Sequence, residues 1–488
     1  MALLIGDIVA QARRMVPGAL AGTLHGAAVT FAELDDGADR MANALAGLGV
    51  RGGDRVVWWS GPALETLTGF VACARLGALF APLNPAYTAA ETAAVLEYLD
   101  PRLIVTDADR RSLVDTAVTT VDLVQRAACA KAVRPDGHDR VLDTDPHIVY
   151  LTSGSTGRPK GVLVSHRASW LRAAPGGGTF TSGLRGRGGL VCSFPLFHYG
   201  GWHYVMEAWQ NRTAVHLVAR ADAHHLIDAV TRWRASALYA IPAVWDRLLE
   251  PDHRGADLTS LAHADTGTSG VSPELVARIK ERLPGTTTTI LYGSTEAGRM
   301  AALQDWDLVR KPGSVGLPAF PGALWTDAEG EVWIRSEALM SGYLGLPEET
   351  SAALEDGCYR SGDVGHIDDE GYLFLTGRRS ELIRTGGESV APAEVEAVLR
   401  DLPGVRDVAV VGLPDERWGE VVCAVFVMEP DAGPPDVATV RGHAAGRMAA
   451  YKQPRQVTTV EAIPRTAATG QVQRSRVRAE VLASMASA

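Results

Sequence analysis

Apolar and polar positions change rhythm along this chain, and each change marks an element. Residues 30–50 carry apolar side chains at helical spacing through Leu48, and Thr30 with Glu33 three residues on forms a capping box, so a helix is expected there. Residues 54–59 then read as a buried strand, 63–76 as a helix, 78–81 as a short strand and 103–105 as another. That alternation predicts an α/β sheet. The pattern weakens over 107–145. It returns as an apolar run, 148–151, that enters a polar loop and leaves it through Val162, Leu163 and Val164, giving strand, loop, strand. Further on, 191–198 reads as a strand, 237–250 as a strand turning at Pro242 into a helix, and 372–375 as a strand after a turn at 368–371. Pro392 opens a helix with Val395, Val398 and Leu399 as its apolar stripe. Strands at 408–411 and 421–428 and a helix over 437–450 complete a small α+β region.

Length and charge narrow the function classes. A chain of 488 residues is long enough for two or more domains, each with its own core. The net charge of −10, without long basic or acidic blocks, argues against nucleic acid as a partner. Cys73, Cys129, Cys192, Cys358 and Cys423 are scattered, with no metal-ligand spacing, which disfavours disulfides and zinc and favours a reducing, cytoplasmic setting. The first residues, MALLIGDIVAQARR, lack a basic leader and carry Asp7 within the apolar part, so no signal peptide is expected. No apolar run approaches the ~18 residues of a membrane span, so no membrane partner is expected either.

The candidate chemistry begins at Thr152-Ser153-Gly154-Ser155-Thr156-Gly157, followed by Arg158, Pro159 and Lys160. Glycines free the backbone while hydroxyls, backbone N–H groups and one ammonium converge on a small concavity, which suits a polyanion such as triphosphate. It is not a Walker A loop, because Arg-Pro separates Gly157 from Lys160 and a strand rather than a helix follows. Nor is there a G-x-S-x-G elbow at Ser155 or at Ser269, which disfavours a serine hydrolase.

Thr152 to Gly161 resembles the [ST]-S-G-[ST]-T-G-x-P-K-G signature of the AMP-forming adenylate-forming superfamily: acyl-CoA synthetases, adenylation domains and luciferases. Four further stretches between residues 25 and 480 are similar to that family's motifs, in the same order: Tyr292-Gly293-Ser294-Thr295-Glu296, Tyr359 to Asp363, Gly377 to Ile383, and Gly386 to Glu396. The resemblance implies a large multi-sheet α/β amino-terminal domain, 1–379, and a small mobile α+β carboxy-terminal domain, 380–488, hinged near Ser380, where relatives usually carry Lys or Asp. It implies that Thr152 to Gly157 and Lys160 hold the β- and γ-phosphates of ATP, that Glu296 carries Mg2+, and that Thr295 bonds phosphate and the incoming carboxylate. Tyr292 and Gly293 would lie by the adenine, Asp363 on the ribose and Arg378 on ribose or phosphate. His198, in Pro195-Leu196-Phe197-His198, would line the acid pocket and move as the thiol enters, with Tyr199, Trp202, Pro242, Gly267 and Thr268 as further walls. Tyr199, Trp202 and Tyr204 together hint at a planar aromatic acid.

One motif departs from the family. Relatives end near P-R-T-x-x-G-K, whereas Pro464 to Gln471 here has an extra residue and glutamine in place of the lysine that bridges substrate and ATP oxygens. Losing such a cation costs roughly 10²–10³ in rate; Arg474 and Lys452 are candidate replacements. The expected activity is ATP-dependent activation of a carboxylic acid as acyl-adenylate, with pyrophosphate released, then transfer to the thiol of coenzyme A. Two alternatives follow from Gln471 and Ser380: a nitrite-activating diazotase acting on an aryl amine, and a catalytically weak nucleotide-binding pseudo-ligase.

Overall fold

A computed structural model describes residues 3–114, 117–153, 159–174, 188–385, 388–466 and 469–486. The chain divides into two units, Met1–Leu324 with Ile334–Tyr359, and Trp325–Trp333 with Arg360–Ala488.

The first unit is built on two sheets. One runs in the order Gly342–Tyr343, Pro159–Ser165, Pro146–Ser153, Leu79–Pro82, Arg55–Trp59, Leu103–Thr106 and Val118–Thr119. Its centre is parallel, with Arg55–Trp59 flanked by Leu79–Pro82 and Leu103–Thr106 and connected through the helices Leu64–Leu76 and Ala89–Leu99. The helix Leu64–Leu76 lies directly on the Trp58 ring. A Cβ at Gly69 would stand 2.3 Å from that ring, so glycine's helix penalty is accepted for a closer approach. The sequence-derived helix at 30–50 is Phe31–Gly47, with the Thr30–Glu33 capping box formed in both directions. A second box, Thr88–Glu91, starts Ala89–Leu99.

The other sheet runs Leu317–Pro318, Gly298–Leu303, Ile290–Ser294, His263–Gly267, Ala237–Tyr239, Leu190–Cys192, Val215–Leu217, Leu20–Leu24 and Ala27–Thr30. Parallel pairing of Ala237–Tyr239 with Leu190–Cys192 and His263–Gly267, and of His263–Gly267 with Ile290–Ser294, brings the carboxyl ends of these strands to one edge. Ligands bind at such an edge in open α/β sheets. The strand expected over 191–198 is shorter. It ends at Cys192, and His198 instead caps the helix Tyr199–Gln210, its Nδ1 accepting the Gly200 N–H at 3.1 Å.

In the second unit the expected turn and strand appear as Cys358–Ile367 paired antiparallel with Leu373–Arg378, the former crossing from the first unit at Tyr359. The strands expected at 408–411 and 421–428 are Val405–Asp415 and Gly419–Met428, a long antiparallel pair joined by Gln456–Thr459 and Ile383–Thr385. The helix Pro392–Leu399 buries Val395 and Leu399 against this sheet. The helix expected over 437–450 is Val437–Ala444, stopping before Gly446 at φ +75°. The fold class is therefore α/β, with a large multi-sheet part and a smaller α+β part. Among the described residues no helix is long and apolar enough to cross a membrane.

Candidate active site

The site is assembled strand by strand. Thr152 and Lys160 face each other across the antiparallel pair Pro146–Ser153 and Pro159–Ser165. Tyr98 clamps this hairpin to the next strand, its hydroxyl accepting the Gly161 N–H at 3.0 Å and donating to the Leu344 carbonyl at 2.7 Å. That places Tyr343 opposite Val162. The Lys160 Nζ lies 5.1 Å over the Tyr343 ring, and the Tyr343 hydroxyl donates to Glu296 Oε1 at 3.1 Å. Burial, then the Glu296 charge, push the Tyr343 phenol above its ordinary range, so it stays a donor. One tyrosine thus joins the lysine expected at the phosphates to the carboxylate expected at the metal. Gly154, Ser155, Thr156 and Gly157 lie outside the described residues, as does the Ser153 side chain.

Thr295 and Glu296 follow the strand Ile290–Ser294, on a tight turn closed by the Ala297 N–H on Ser294 Oγ. The buried Arg172 holds this turn from below, donating to the carbonyls of Thr295 at 3.0 Å, Glu296 at 2.8 Å and Ala338 at 2.8 Å. Its guanidinium also sits 5.1 Å over the Tyr199 ring. Neither Arg172 nor Tyr343 was picked out by sequence reasoning. A lone arginine beside a glycine-rich stretch carries no pattern, whereas the Gly342-Tyr343-Leu344-Gly345 punctuation was a usable signal.

Of the residues expected to line the acid pocket, His198 lies in a cluster of rings. Phe194 stacks on His198 at 5.2 Å, on Tyr239 at 5.3 Å and on Tyr204 at 6.0 Å, with planes within 9–25°. Burial lowers the His198 imidazole to about 4, so it is neutral at pH 7. The Tyr239 hydroxyl meets Thr268 Oγ1 at 2.8 Å. Gly267 is obligatory, since a Cβ there would stand 2.1 Å from the Leu291 carbonyl oxygen, and Thr268 holds a positive φ of +70°. Pro242 is the first residue of the helix Pro242–Leu248, at the turn out of the strand Ala237–Tyr239. Tyr292 is buried and Gly293 exposed on the same strand.

Trp202 is corrected. It is wholly buried and stacks on Phe70 with centroids 3.9 Å apart and edge-on to Phe80, so it belongs to the core. It lies about 100° round the helix from His203, which turns it away from the polar side.

In the second unit, Asp363 and Arg378 are cross-strand partners, with Arg378 Nε 3.1 Å from Asp363 Oδ1. Ser380 is exposed in the short 3-10 turn Arg379–Glu381. The exposed Gln471 sits on a hairpin closed by the Arg465–Val472 bridge, its N–H donating to Thr466 Oγ1. The cations considered as its replacement are committed elsewhere in the same unit. Arg474 binds both oxygens of Glu396 at 2.7 Å and Glu381 at 3.0 Å, and Lys452 binds Glu394 at 2.5 Å.

For magnesium, the donor set is one carboxylate, Glu296, already oriented by a tyrosine hydroxyl. Mg2+ takes one or two carboxylates and completes its shell with phosphate oxygens and water, so a single carboxylate beside a phosphate loop fits. Among the described residues no cluster of three or more potential metal-ligating His, Cys, Asp or Glu exists.

Family models agree with this geometry: the AMP-binding enzyme model matches residues 9–344, and the AMP-binding enzyme C-terminal domain matches 394–469. Indoleacetate–CoA ligase of Aromatoleum aromaticum is 33% identical over 482 residues, covering 92% of each chain. A long-chain-fatty-acid–CoA ligase of Mycobacterium tuberculosis is 30% identical over 484 residues, covering 94% of each. The crystal structure of an anthranilate CoA ligase in complex with anthranoyl-AMP superposes with a TM-score of 0.88 at 25% identity, over 99% of this chain and 98% of that one. Matched by family models in both its parts and by relatives along nearly its whole length, the chain belongs to the AMP-binding enzyme family, the adenylate-forming acyl- and aryl-CoA ligases.

Proposed function

We propose that this ligase activates an aromatic carboxylic acid with ATP and passes it to coenzyme A, with Lys160, Thr295 and Glu296 at its adenylation centre. The observation that carries the reading is the Lys160–Tyr343–Glu296 chain: Lys160 lies over the Tyr343 ring and Glu296 accepts from its hydroxyl, which supports reading the two as phosphate-binding cation and metal-binding carboxylate of one centre. In the first step a carboxylate oxygen attacks the α-phosphorus, the bond to the bridging oxygen breaks, and pyrophosphate leaves. Lys160 and the Thr152 loop hold the departing phosphates, Thr295 orients the carboxylate, and Glu296 would hold Mg2+, which supplies charge neutralisation on the phosphates when bound. In the second step the thiolate attacks the acyl carbon and AMP leaves. Asp363 takes the ribose hydroxyls and Arg378 the ribose or phosphate, and the chain pivots near Ser380 between residues 1–379 and 380–488, so that one centre serves both steps. The acid is read as aromatic from the stacked rings of Phe194, His198, Tyr204 and Tyr239.

The relatives named are acid–CoA ligases, which favours thioester formation over the diazotase and pseudo-ligase readings. The test is AMP release and thioester formation with a panel of benzoic, arylacetic and alkanoic acids, in wild type and Lys160→Ala. The expected result is a thioester with an aromatic acid and a pyrophosphate-exchange rate lowered roughly 10²–10³-fold in the variant. AMP without thioester, or an unchanged exchange rate in Lys160→Ala, refutes the reading.

A further inference from the structure

The helix Tyr199–Gln210 has an apolar face and a polar face, and both are buried. Trp202 and Trp209 pack into the core, Trp209 Nε1 donating to the Ala21 carbonyl. On the other side Tyr199, His203 and Glu207 recur every four residues, so they stack along one face. The Tyr199 hydroxyl lies 3.4 Å from His203 Nδ1, and His203 Nε2 lies 3.5 Å from Glu207 Oε2.

Glu207 is wholly buried, yet among the described residues neither of its oxygens has a hydrogen-bond partner. Asp265 Oδ2 and Thr266 Oγ1, on the strand that runs into Gly267 and Thr268, are also unpaired. The ionisable groups that face Glu207 are Tyr199, His203 and Tyr204 on its own helix, Asp265 on the strand His263–Gly267, and Arg299 on the strand Gly298–Leu303. Burial raises its carboxyl to about 7, opposed by Arg299, and lowers the His203 imidazole well below its ordinary value. Native proteins pair their buried polar atoms, because an unpaired one costs the full desolvation penalty. Unpaired acceptors gathered beside a stack of rings await a donor that the described residues do not supply.

We infer that Glu207, with His203 beside it, determines specificity for the far end of the acid, accepting a hydrogen bond from an amine or phenolic hydroxyl on the aromatic ring, on the side away from the carboxylate. This rests on the proposed aromatic-acid reading of the pocket. Tyr199 and Glu207 belong to the same helix face, with Tyr199 at its start and Glu207 near its end. Tyr199 lies next to Arg172, which holds the Thr295–Glu296 turn, and eight residues of helix rise about 12 Å from there to Glu207.

The experiment measures kcat/KM for AMP release with 4-aminobenzoate, 4-hydroxybenzoate, their 3-substituted isomers, the isosteric 3- and 4-methylbenzoates, and octanoate. Wild type should favour a donor-bearing acid over its methyl isostere by about tenfold or more, and the better of the amine and hydroxyl arms identifies the donor. Glu207→Leu should abolish or reverse that preference, and Glu207→Gln, which keeps a carbonyl acceptor, should retain part of it. Equal rates for donor and methyl acids in wild type, a comparison that needs no folded variant, overturn the inference, as does an unchanged preference in Glu207→Leu. AMP release with octanoate alone overturns it while leaving the ligase activity standing; no AMP release with any acid overturns both.

Discussion

Single residues divide sharply by how they announced themselves. Glu296 and Lys160 were legible because each sits in a run of chemically unusual neighbours, and the structure brings them to one tyrosine. Arg172 was not legible, since its role depends on three carbonyls contributed by residues more than a hundred positions away. It is a positioning residue. Arg172→Lys keeps the charge but not the fork that reaches all three carbonyls. A displacement of the Thr295–Glu296 turn by about 1 Å is enough to cost ~10²-fold in rate. The expected outcome is a fall in adenylation kcat of that order, with KM for the acid changed far less. A loss of stability with normal kcat in the folded fraction would show that Arg172 only holds the fold.

At the scale of elements, the periodic segments were legible and the breaks in them were not. The helix Phe31–Gly47 was marked at its start by its own capping box. The helix Tyr199–Gln210 was missed because Gly200, Gly201, His203 and several aromatics dilute its pattern, and because a histidine caps it where Ser, Thr, Asp or Asn is usual. The hairpin carrying Gln471 is the element on which the family's lysine was expected. It is exposed and closed by backbone pairing, so Gln471→Lys needs no repacking. With Arg474 and Lys452 tied to carboxylates, restoring the cation should raise pyrophosphate exchange by about tenfold or more. An unchanged rate would mean that the extra residue in this loop keeps position 471 from the reacting atoms.

For the whole molecule, buried titratable groups set the response to acid. Burial holds His166, His198 and His216 at about 4, and His147 and His203 well below the ordinary 6.5. Between pH 6.5 and 4 the unfolded chain takes up protons that these folded imidazoles refuse, so their contribution is complete above pH 6.5 and is lost as pH falls, by about 1.4 kcal/mol per pH unit for each. Glu207, raised by burial to about 7, and Asp265, raised well above its ordinary value, work the other way and gain stability as pH falls from their folded values toward their ordinary ones. Five imidazoles against two carboxyls leave a net loss, so the melting temperature of the ligand-free protein should be lower at pH 5 than at pH 7.5; an equal or higher value at pH 5 would refute this balance. None of it could be seen in the sequence, where histidine has no visible burial. The sequence by itself determined the α/β class, the order of its strongly periodic elements and the family to which its motifs belong, because those depend on local periodicity and on short runs of chemistry. Tertiary structure alone decided that Trp202 belongs to the core, that Arg172 holds the Thr295–Glu296 turn and Tyr343 links Lys160 to Glu296, and that Glu207 is buried with no hydrogen-bond partner among the described residues. Each of those depends on which distant segments the sheets bring side by side.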